Sequence, residues 1–194
     1  MHHTIRNLAL SLTLALGAPF ASAAVLGFDD IVGPDGYAAM PANYGGLDWS
    51  NSGMSVFTSE SAPFTAHSGH GRISADWTDG GPSASTIRFL APTIFSGAWF
   101  AGYSDSSVRF DLYFGGNLVA TSASLLLSAS PAFLNAGWNS AIDTIVVSSG
   151  AQGSYVMDDL SFDSPAQVPE PGSLALMLAG VGLAGAVRLR RAMT

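Results

Sequence analysis

The sequence predicts an all-β domain, an antiparallel β-sandwich of the jelly-roll kind, between two segments that address the chain to a membrane. Short runs of β-branched, aromatic and alternating residues are separated by turns rich in Gly, Ser, Asn, Asp and Pro. Between the two ends no segment has a sustained 3.6-residue period. Apolar stretches typical of export and of membrane anchoring stand near the two ends of the 194-residue chain.

Residues 1–23 have the pattern of a secretory signal peptide. Met1 to Asn7 carries one Arg, and Leu8 to Phe20 is an apolar run that is predicted to be helical. Ala21-Ser22-Ala23 then has the small-x-small form of a cleavage site. We therefore expect export of the protein and a mature chain that begins at Ala24.

Ten strands are predicted within the sandwich domain, residues 24–165. The clearest alternation is that of Val108, Phe110 and Leu112 with more polar neighbours, which is typical of a half-buried strand. Gly115-Gly116-Asn117 then supplies the positive φ angles of a tight hairpin. Leu125 to Leu127 fits either a strand or one helical turn. The predicted strands are Val25–Asp29, Met54–Thr58, Arg72–Trp77, Ser85–Leu90, Trp99–Tyr103, Ser107–Phe114, Asn117–Ser124, Ala132–Leu134, Thr144–Ser148 and Tyr155–Phe162.

Composition excludes several classes of function. Residues 24–165 contain 13 acidic and 3 basic residues, a net charge of about −10, and no Lys. Such a charge argues against binding to DNA, RNA or anionic lipid. Because the chain has no Cys, it forms no disulfide and carries out no thiol or iron–sulfur chemistry.

One long Gly-rich segment, Gly36 to Gly53, interrupts the strand pattern and carries two aromatic residues. It fits a loop that tucks these rings against the end of the sandwich. It also fits a platform for a sugar ring, because the C–H face of a sugar stacks on an aromatic ring while its hydroxyls bond to amides and carboxylates. The candidate ligand-binding residues are Asn43, Tyr44, Asp48, Trp49 and Asn51.

Paired aspartates stand at both ends of the domain. Asp29 and Asp30 close the first predicted strand, and Asp158 and Asp159 lie in the last one. The Met157 to Phe162 part of the last predicted strand resembles the closing strand of galactose-binding and MAM-like jelly rolls, in which the first and last strands pair. If these strands pair, four carboxylates converge, and a hard divalent cation would relieve their repulsion. We therefore predict a structural calcium ion, while carboxylates that simply face solvent are the alternative.

Few residues suggest catalysis. His67-Ser68-Gly69-His70 has a spacing that occurs in zinc sites, but its Ser/Gly-rich setting favours a solvated loop. A glycosidase needs two carboxylates, one of them in an apolar setting. Glu60 is the only Glu of the domain and stands in a polar turn. We therefore predict no catalytic residues and a protein that is not an enzyme.

Residues 166–194 are predicted to form a sorting signal with a transmembrane helix at residues 173–187. Prolines on both sides of Glu170 prevent the helix from beginning earlier. A helix of this length rises about 24 Å, slightly less than the roughly 30 Å of a bilayer's hydrocarbon core. The arginines after it place the preceding domain on the outer side of the membrane. The residues of this motif are Pro169, Glu170, Pro171, Arg188, Arg190 and Arg191.

This arrangement resembles the PEP-CTERM sorting signal of Gram-negative bacteria, which some family labels call the ice-binding protein C-terminal domain. The resemblance implies that an exosortase, an intramembrane processing enzyme, recognises the Pro-Glu-Pro box and the helix. It further implies a precursor anchored in the inner membrane and a final location at the cell surface or outside the cell. It covers about the last 27 residues, so it implies nothing about the activity of the sandwich.

These observations together predict an exported, non-enzymatic protein of the cell surface or extracellular matrix that is associated with exopolysaccharide. Two alternatives stay open, a carbohydrate-binding module that uses the aromatic loop and a hydrolase of unknown substrate. The predicted partners are an exosortase, polysaccharide and, for the precursor, the membrane. Nucleic acid is not expected as a partner, and structural calcium is the only cofactor expected.

Overall fold

Two antiparallel sheets make up the computed structural model, which describes residues 22–75 and 83–164. These residues all belong to one compact unit, Ala21–Pro165. The strands are β1 (Ser22–Leu26), β2 (Tyr37–Ala39), β3 (Asn43–Tyr44), β4 (Leu47–Asp48), β5 (Met54–Phe57), β6 (Arg72–Ala75), β7 (Ser83–Thr93), β8 (Phe95–Gly102), β9 (Ser107–Phe114), β10 (Asn117–Thr121), β11 (Leu125–Leu126), β12 (Ala132–Asn135), β13 (Ile142–Ser149) and β14 (Tyr155–Ser164).

The strand order places the two ends of the sandwich domain side by side. The first sheet has the order β12-β8-β14-β6-β5-β2, with β1 also paired to β14. The second sheet has the order β10-β9-β13-β7-β4-β3, with β11 also paired to β9. A three-residue 3-10 turn, Pro34–Gly36, comes just before β2.

The core lies between the two sheets and follows from the period-2 pattern of the strands. In β9, Val108, Phe110 and Leu112 are buried, while the residues between them are partly or fully exposed. Phe95 of the first sheet meets Phe110 of the second edge to face, with ring centroids 4.9 Å apart. This is the geometry that aromatic pairs prefer. Buried rings of the two sheets thus fill the space between them.

A β-bulge interrupts β14 where it pairs with β8. Asp158 stands opposite Trp99 and Ser161 opposite Gly97, so β14 has one more residue than its partner over this stretch. Asp159, within the bulge, has a φ angle of 46°, a conformation that Asp tolerates better than most residues. In a regular strand successive side chains point to opposite faces, but a bulge can bring two neighbours to the same side.

The structure confirms the all-β antiparallel sandwich, and a strand overlaps each of the ten that were predicted. β11 settles the assignment of Leu125 and Leu126 as strand. β1 begins at Ser22, earlier than predicted, so cleavage before Ala24 would leave three of its residues in the sheet. The jelly-roll assignment stays a prediction.

The predicted helices fall elsewhere in the chain. The apolar run of the signal peptide and the transmembrane helix at residues 173–187 both lie outside the described residues. Within residues 22–75 and 83–164, no helix has the length and apolar character that crossing a membrane requires.

Candidate functional site

The first and last strands pair, as in the jelly rolls that the last strand resembles, and this pairing leaves a gap along β14. β1 pairs with β14 over Leu160 to Ser164, and β6 pairs with the same strand at Met157. Asp158 and Asp159 lie between these two pairings. The segment of residues 65–71, called the histidine loop below, lies against this stretch and forms hydrogen bonds to the side chains of both aspartates.

Asp158 binds the backbone of the histidine loop. Its Oδ2 accepts hydrogen bonds from the backbone N–H groups of His67 and Ser68, both at 2.9 Å. Its Oδ1 accepts the N–H of Asp159 at 2.7 Å. Because the carboxylate is buried, these three donors replace the water that it loses on folding.

Asp29 binds the other end of the same loop. Its Oδ1 lies 2.6 Å from the backbone nitrogen of His70 and 2.7 Å from that of Gly71, and both nitrogens donate to it. Gly69 sits directly against this carboxylate, with a φ angle of +50°. The loop is therefore held at both ends by aspartates that come from opposite ends of the domain.

Asp159 holds the side chains of the loop. Its Oδ2 lies 2.6 Å from Nδ1 of His67, and its Oδ1 accepts the hydroxyl of Ser68 at 3.0 Å. The His67 ring stacks on Trp99, with centroids 3.6 Å apart and an interplanar angle of 11°. Ser68 thus bonds to the aspartate and not to the histidine ring. The three side chains do not form the Asp–His–Ser relay that activates a serine nucleophile.

Burial raises the pKa of Asp158, and the negative charge of Asp159 adds to this, whereas the N–H groups of the histidine loop oppose it. A raised folded-state pKa adds stability that is fully present below the unfolded-state pKa of about 3.9 and is lost as pH rises through the folded value. We expect the free energy of unfolding of the wild-type protein, relative to Asp158→Asn, to be largest below about pH 4 and to fall above it. Urea unfolding of both proteins, below and above about pH 4, measures the difference between their free energies of unfolding. A difference that does not change with pH would contradict the expectation.

Asp30, the fourth predicted carboxylate, has a different partner. Its Oδ1 lies 2.5 Å from the hydroxyl of Tyr44, which also lies 2.8 Å from the carbonyl oxygen of Gly27. Burial, together with this aspartate, raises the pKa of the tyrosine. Within the described part of the chain, no three or more His, Cys, Asp or Glu side chains are grouped so that they could hold a metal ion. The calcium ion stays a prediction.

Trp49, one of the two rings of the predicted sugar platform on the Gly36 to Gly53 segment, lies in the core, and the platform itself stays a prediction. Trp49 is only 2% exposed and packs edge to face on Phe28, with its Nε1 donating to the carbonyl oxygen of Tyr44. A ring buried in this way cannot stack on a sugar. The Asp48 carboxylate accepts the hydroxyl and the backbone N–H of Ser50, and Asn43 and Asn51 lie exposed nearby.

A cavity of about 400 Å³ lies on the outer face of the first sheet. Because Ile73 points into the core, Arg72 and Ser74 on either side of it point outward, to this cavity. This cavity is called the aromatic cavity below. The aromatic residues that line it are Tyr37, Phe57, Phe64, Tyr103 and the buried Tyr155, and its polar residues include Asp35, Ser59, Ser61, Arg72 and Ser74.

Two of these rings are open to solvent and form the rim. Tyr37 is 48% exposed and meets Phe57 edge to face at 5.5 Å. Tyr103 is 44% exposed and meets Phe64 in the same way at 5.0 Å. Each exposed ring is thus held by a second ring behind it, so the rim presents fixed aromatic surface to a ligand.

Arg72 is the positively charged residue among the described lining residues of the aromatic cavity, which also include Asp35, and it is only 2% exposed. Its Nη1 donates to the carbonyl oxygens of Phe57 and His70, at 3.3 and 3.2 Å, and its Nη2 donates to that of Ser59. Burial lowers the pKa of the guanidinium. Its Nε has no hydrogen-bond partner among the described residues.

Sequence reasoning missed the aromatic cavity because its residues come from separate parts of the chain. The rim tyrosines are far apart in sequence, and the loop of residues 59–64 lies between them. One signal was present, since Arg72 stands in a strand beside the core residue Ile73. A charged residue at a buried strand position is unusual enough to suggest a site.

Comparison with known proteins bears on the C-terminal segment alone. Residues 167–191 match the model of the PEP-CTERM protein-sorting motif, which confirms the resemblance seen in the sequence. A search of curated proteins found no significant match. The predicted sorting residues, from Pro169 to Arg191, lie outside the described residues. The chain thus carries a PEP-CTERM sorting motif, which marks it for export through a membrane-anchored precursor and for processing by an exosortase.

Proposed function

We propose that this protein is a non-enzymatic component of the cell surface or extracellular matrix that binds exopolysaccharide in the aromatic cavity. The precursor is held in the inner membrane by residues 173–187 until the exosortase acts on the Pro-Glu-Pro box. The sandwich then remains outside the cell, where its acidic surface keeps it soluble and an exposed cavity is open to polymer.

The aromatic cavity is the observation that carries this proposal. A sugar ring has an apolar C–H face and a rim of hydroxyls, and it needs a flat aromatic surface next to polar groups. Tyr37 and Tyr103 supply exposed rings, and Ser59, Ser61 and Asp35 supply hydroxyl and carboxylate partners in the same cavity. Because each rim ring packs on a second ring, little side-chain entropy is lost on binding.

The polar groups of the aromatic cavity favour binding over hydrolysis. Glycoside hydrolysis needs two carboxylates on either side of the scissile bond. Among the described residues that line the cavity, Asp35 is the only one with a carboxylate side chain. Glu60 is exposed and lies 3.6 Å from Nδ1 of His70, a polar setting that does not suit a general acid.

We expect Tyr103→Ala to weaken the binding of polysaccharide by about fivefold, because one stacking ring of the rim is lost. Affinity electrophoresis of the full-length protein, in gels that contain polysaccharide from the producing cells, measures this retardation. Phe114→Ala is the matched control, since Phe114 has the same 44% exposure but lies at the β9–β10 hairpin, away from the cavity. Equal retardation of the wild-type protein and both variants would contradict the proposal.

A further inference from the structure

We propose that the sugar bound in the aromatic cavity is acidic and that its carboxylate pairs with Arg72. This inference rests on the proposed function and specifies the class of sugar, a uronic acid unit of a polysaccharide. Arg72 is a buried cation whose counter-ion is not found among the described residues.

The hydrogen bonds of Arg72 leave part of its guanidinium without acceptors. A guanidinium has five N–H donors, and its bonds to Phe57, His70 and Ser59 use three of them. The Nε–H and one N–H of Nη2 are left over. All three acceptors are neutral carbonyl oxygens, which bond to the guanidinium without neutralising its charge.

No carboxylate of the described residues forms an ion pair with Arg72 at 4.0 Å or less. Glu60 and Asp158 act on it only through longer-range attraction, and both have other partners, His70 and the histidine loop. A buried charge without a counter-ion is costly. An anionic ligand would supply this counter-ion when it binds, so the arrangement favours an acidic sugar over a neutral one.

The neighbours of Arg72 favour a sugar acid over a simple anion. An inorganic anion would leave the rim rings of Tyr37 and Tyr103 unused, whereas the C–H face of a uronate ring can stack on them. The hydroxyls of Ser59 and Ser61 can bond to the ring hydroxyls of such a sugar. The positive charge of Arg72 and the aromatic rings thus lie together in one cavity of about 400 Å³, which is large enough for one or two sugar units.

The test removes the charge from the ligand, because replacing Arg72, which bonds three carbonyl groups, is expected to destabilise the fold. Isothermal titration calorimetry of the full-length protein compares digalacturonic acid with its dimethyl ester, which has the same rings and no charge. We expect the acid to bind at least about tenfold more tightly than the ester, since a charge-assisted hydrogen bond is lost. Tyr37→Ala should weaken binding of the acid about fivefold, and Phe114→Ala should leave it unchanged.

Other outcomes separate the failure of this inference from that of the proposed function. Equal affinity for acid and ester, with both weakened by Tyr37→Ala, would overturn the acidic sugar but support a sugar site in the aromatic cavity. Tight binding of the acid that Tyr37→Ala does not weaken would overturn the assignment to this cavity. If neither compound binds while polysaccharide still retards the wild-type protein more than Tyr103→Ala, the acidic class is wrong and the proposed function stands.

Discussion

Replacing Asp158 by alanine is expected to lower the free energy of unfolding by about 3 kcal/mol, because three backbone donors lose their acceptor, one of them buried and two partly buried. The carboxylate accepts the N–H groups of His67, Ser68 and Asp159, and each unsatisfied buried donor costs about 1–3 kcal/mol. Burial of the charge makes the carboxylate less favourable than its bonds alone suggest, so the expected loss is below the sum of the three. Urea unfolding at neutral pH measures it.

Asp143→Ala is the control for this experiment. Asp143 also accepts a backbone N–H, that of Gly115, at 2.6 Å, but this bond is exposed at the β9–β10 hairpin. Water can replace a lost acceptor there, so we expect a loss of about 1 kcal/mol or less. If Asp158→Ala costs no more than Asp143→Ala, the histidine loop does not depend on the buried carboxylate.

The sandwich was predictable because the signal for it is local. In β9 the alternation of Val108, Phe110 and Leu112 specifies both a strand and its buried face, and the observed bounds, Ser107–Phe114, are those predicted. β1 was less predictable. It extends back to Ser22, into residues that the sequence assigns to a cleavage site, because backbone pairing with β14 decides its length and no local pattern does.

The convergence of the aspartates was predictable only in part. Pairing of the first and last strands was implied by the resemblance to galactose-binding and MAM-like jelly rolls, and it does bring Asp29, Asp158 and Asp159 to one region. The groups that bind these carboxylates were not predictable. They are backbone N–H groups within residues 67–71, a segment that the sequence shows only as a polar loop. Like charges can be balanced by donors as well as by a cation, and sequence spacing does not distinguish the two.

Which aromatic rings are exposed was also predictable only in part. Tyr44 and Trp49 were candidates because they stand in a Gly-rich segment, yet Trp49 is a core residue. Tyr37, only a few residues earlier, is exposed on the outer face. Two-residue strands such as β3 and β4 follow from tertiary pairing, so the side on which each ring emerges could not be derived from the local sequence.

Replacing Gly69 by alanine is the second change with a large expected effect, a loss of about 3 kcal/mol in the free energy of unfolding. A Cβ at this position would lie 2.1 Å from Oδ1 of Asp29, and the φ angle of +50° is one that alanine rarely adopts. The Asp29 carboxylate cannot simply move aside, because it accepts the N–H groups of His70 and Gly71. Relief of the clash would therefore break the bonds that hold the end of the histidine loop.

Gly115→Ala separates the clash from the backbone strain. Gly115 has a similar φ angle, +58°, but a Cβ there would meet nothing within 4 Å, so only the conformational cost of about 1 kcal/mol is expected. Thermal and urea unfolding of the two variants give the difference directly. If both variants lose the same stability, the Asp29 carboxylate moves aside without destabilising the protein. The aspartates of the first and last strands would then not hold the loop as a unit. If Gly69→Ala loses about 2 kcal/mol more, the hydrogen bonds of Asp29 account for the excess, because the backbone term is common to both.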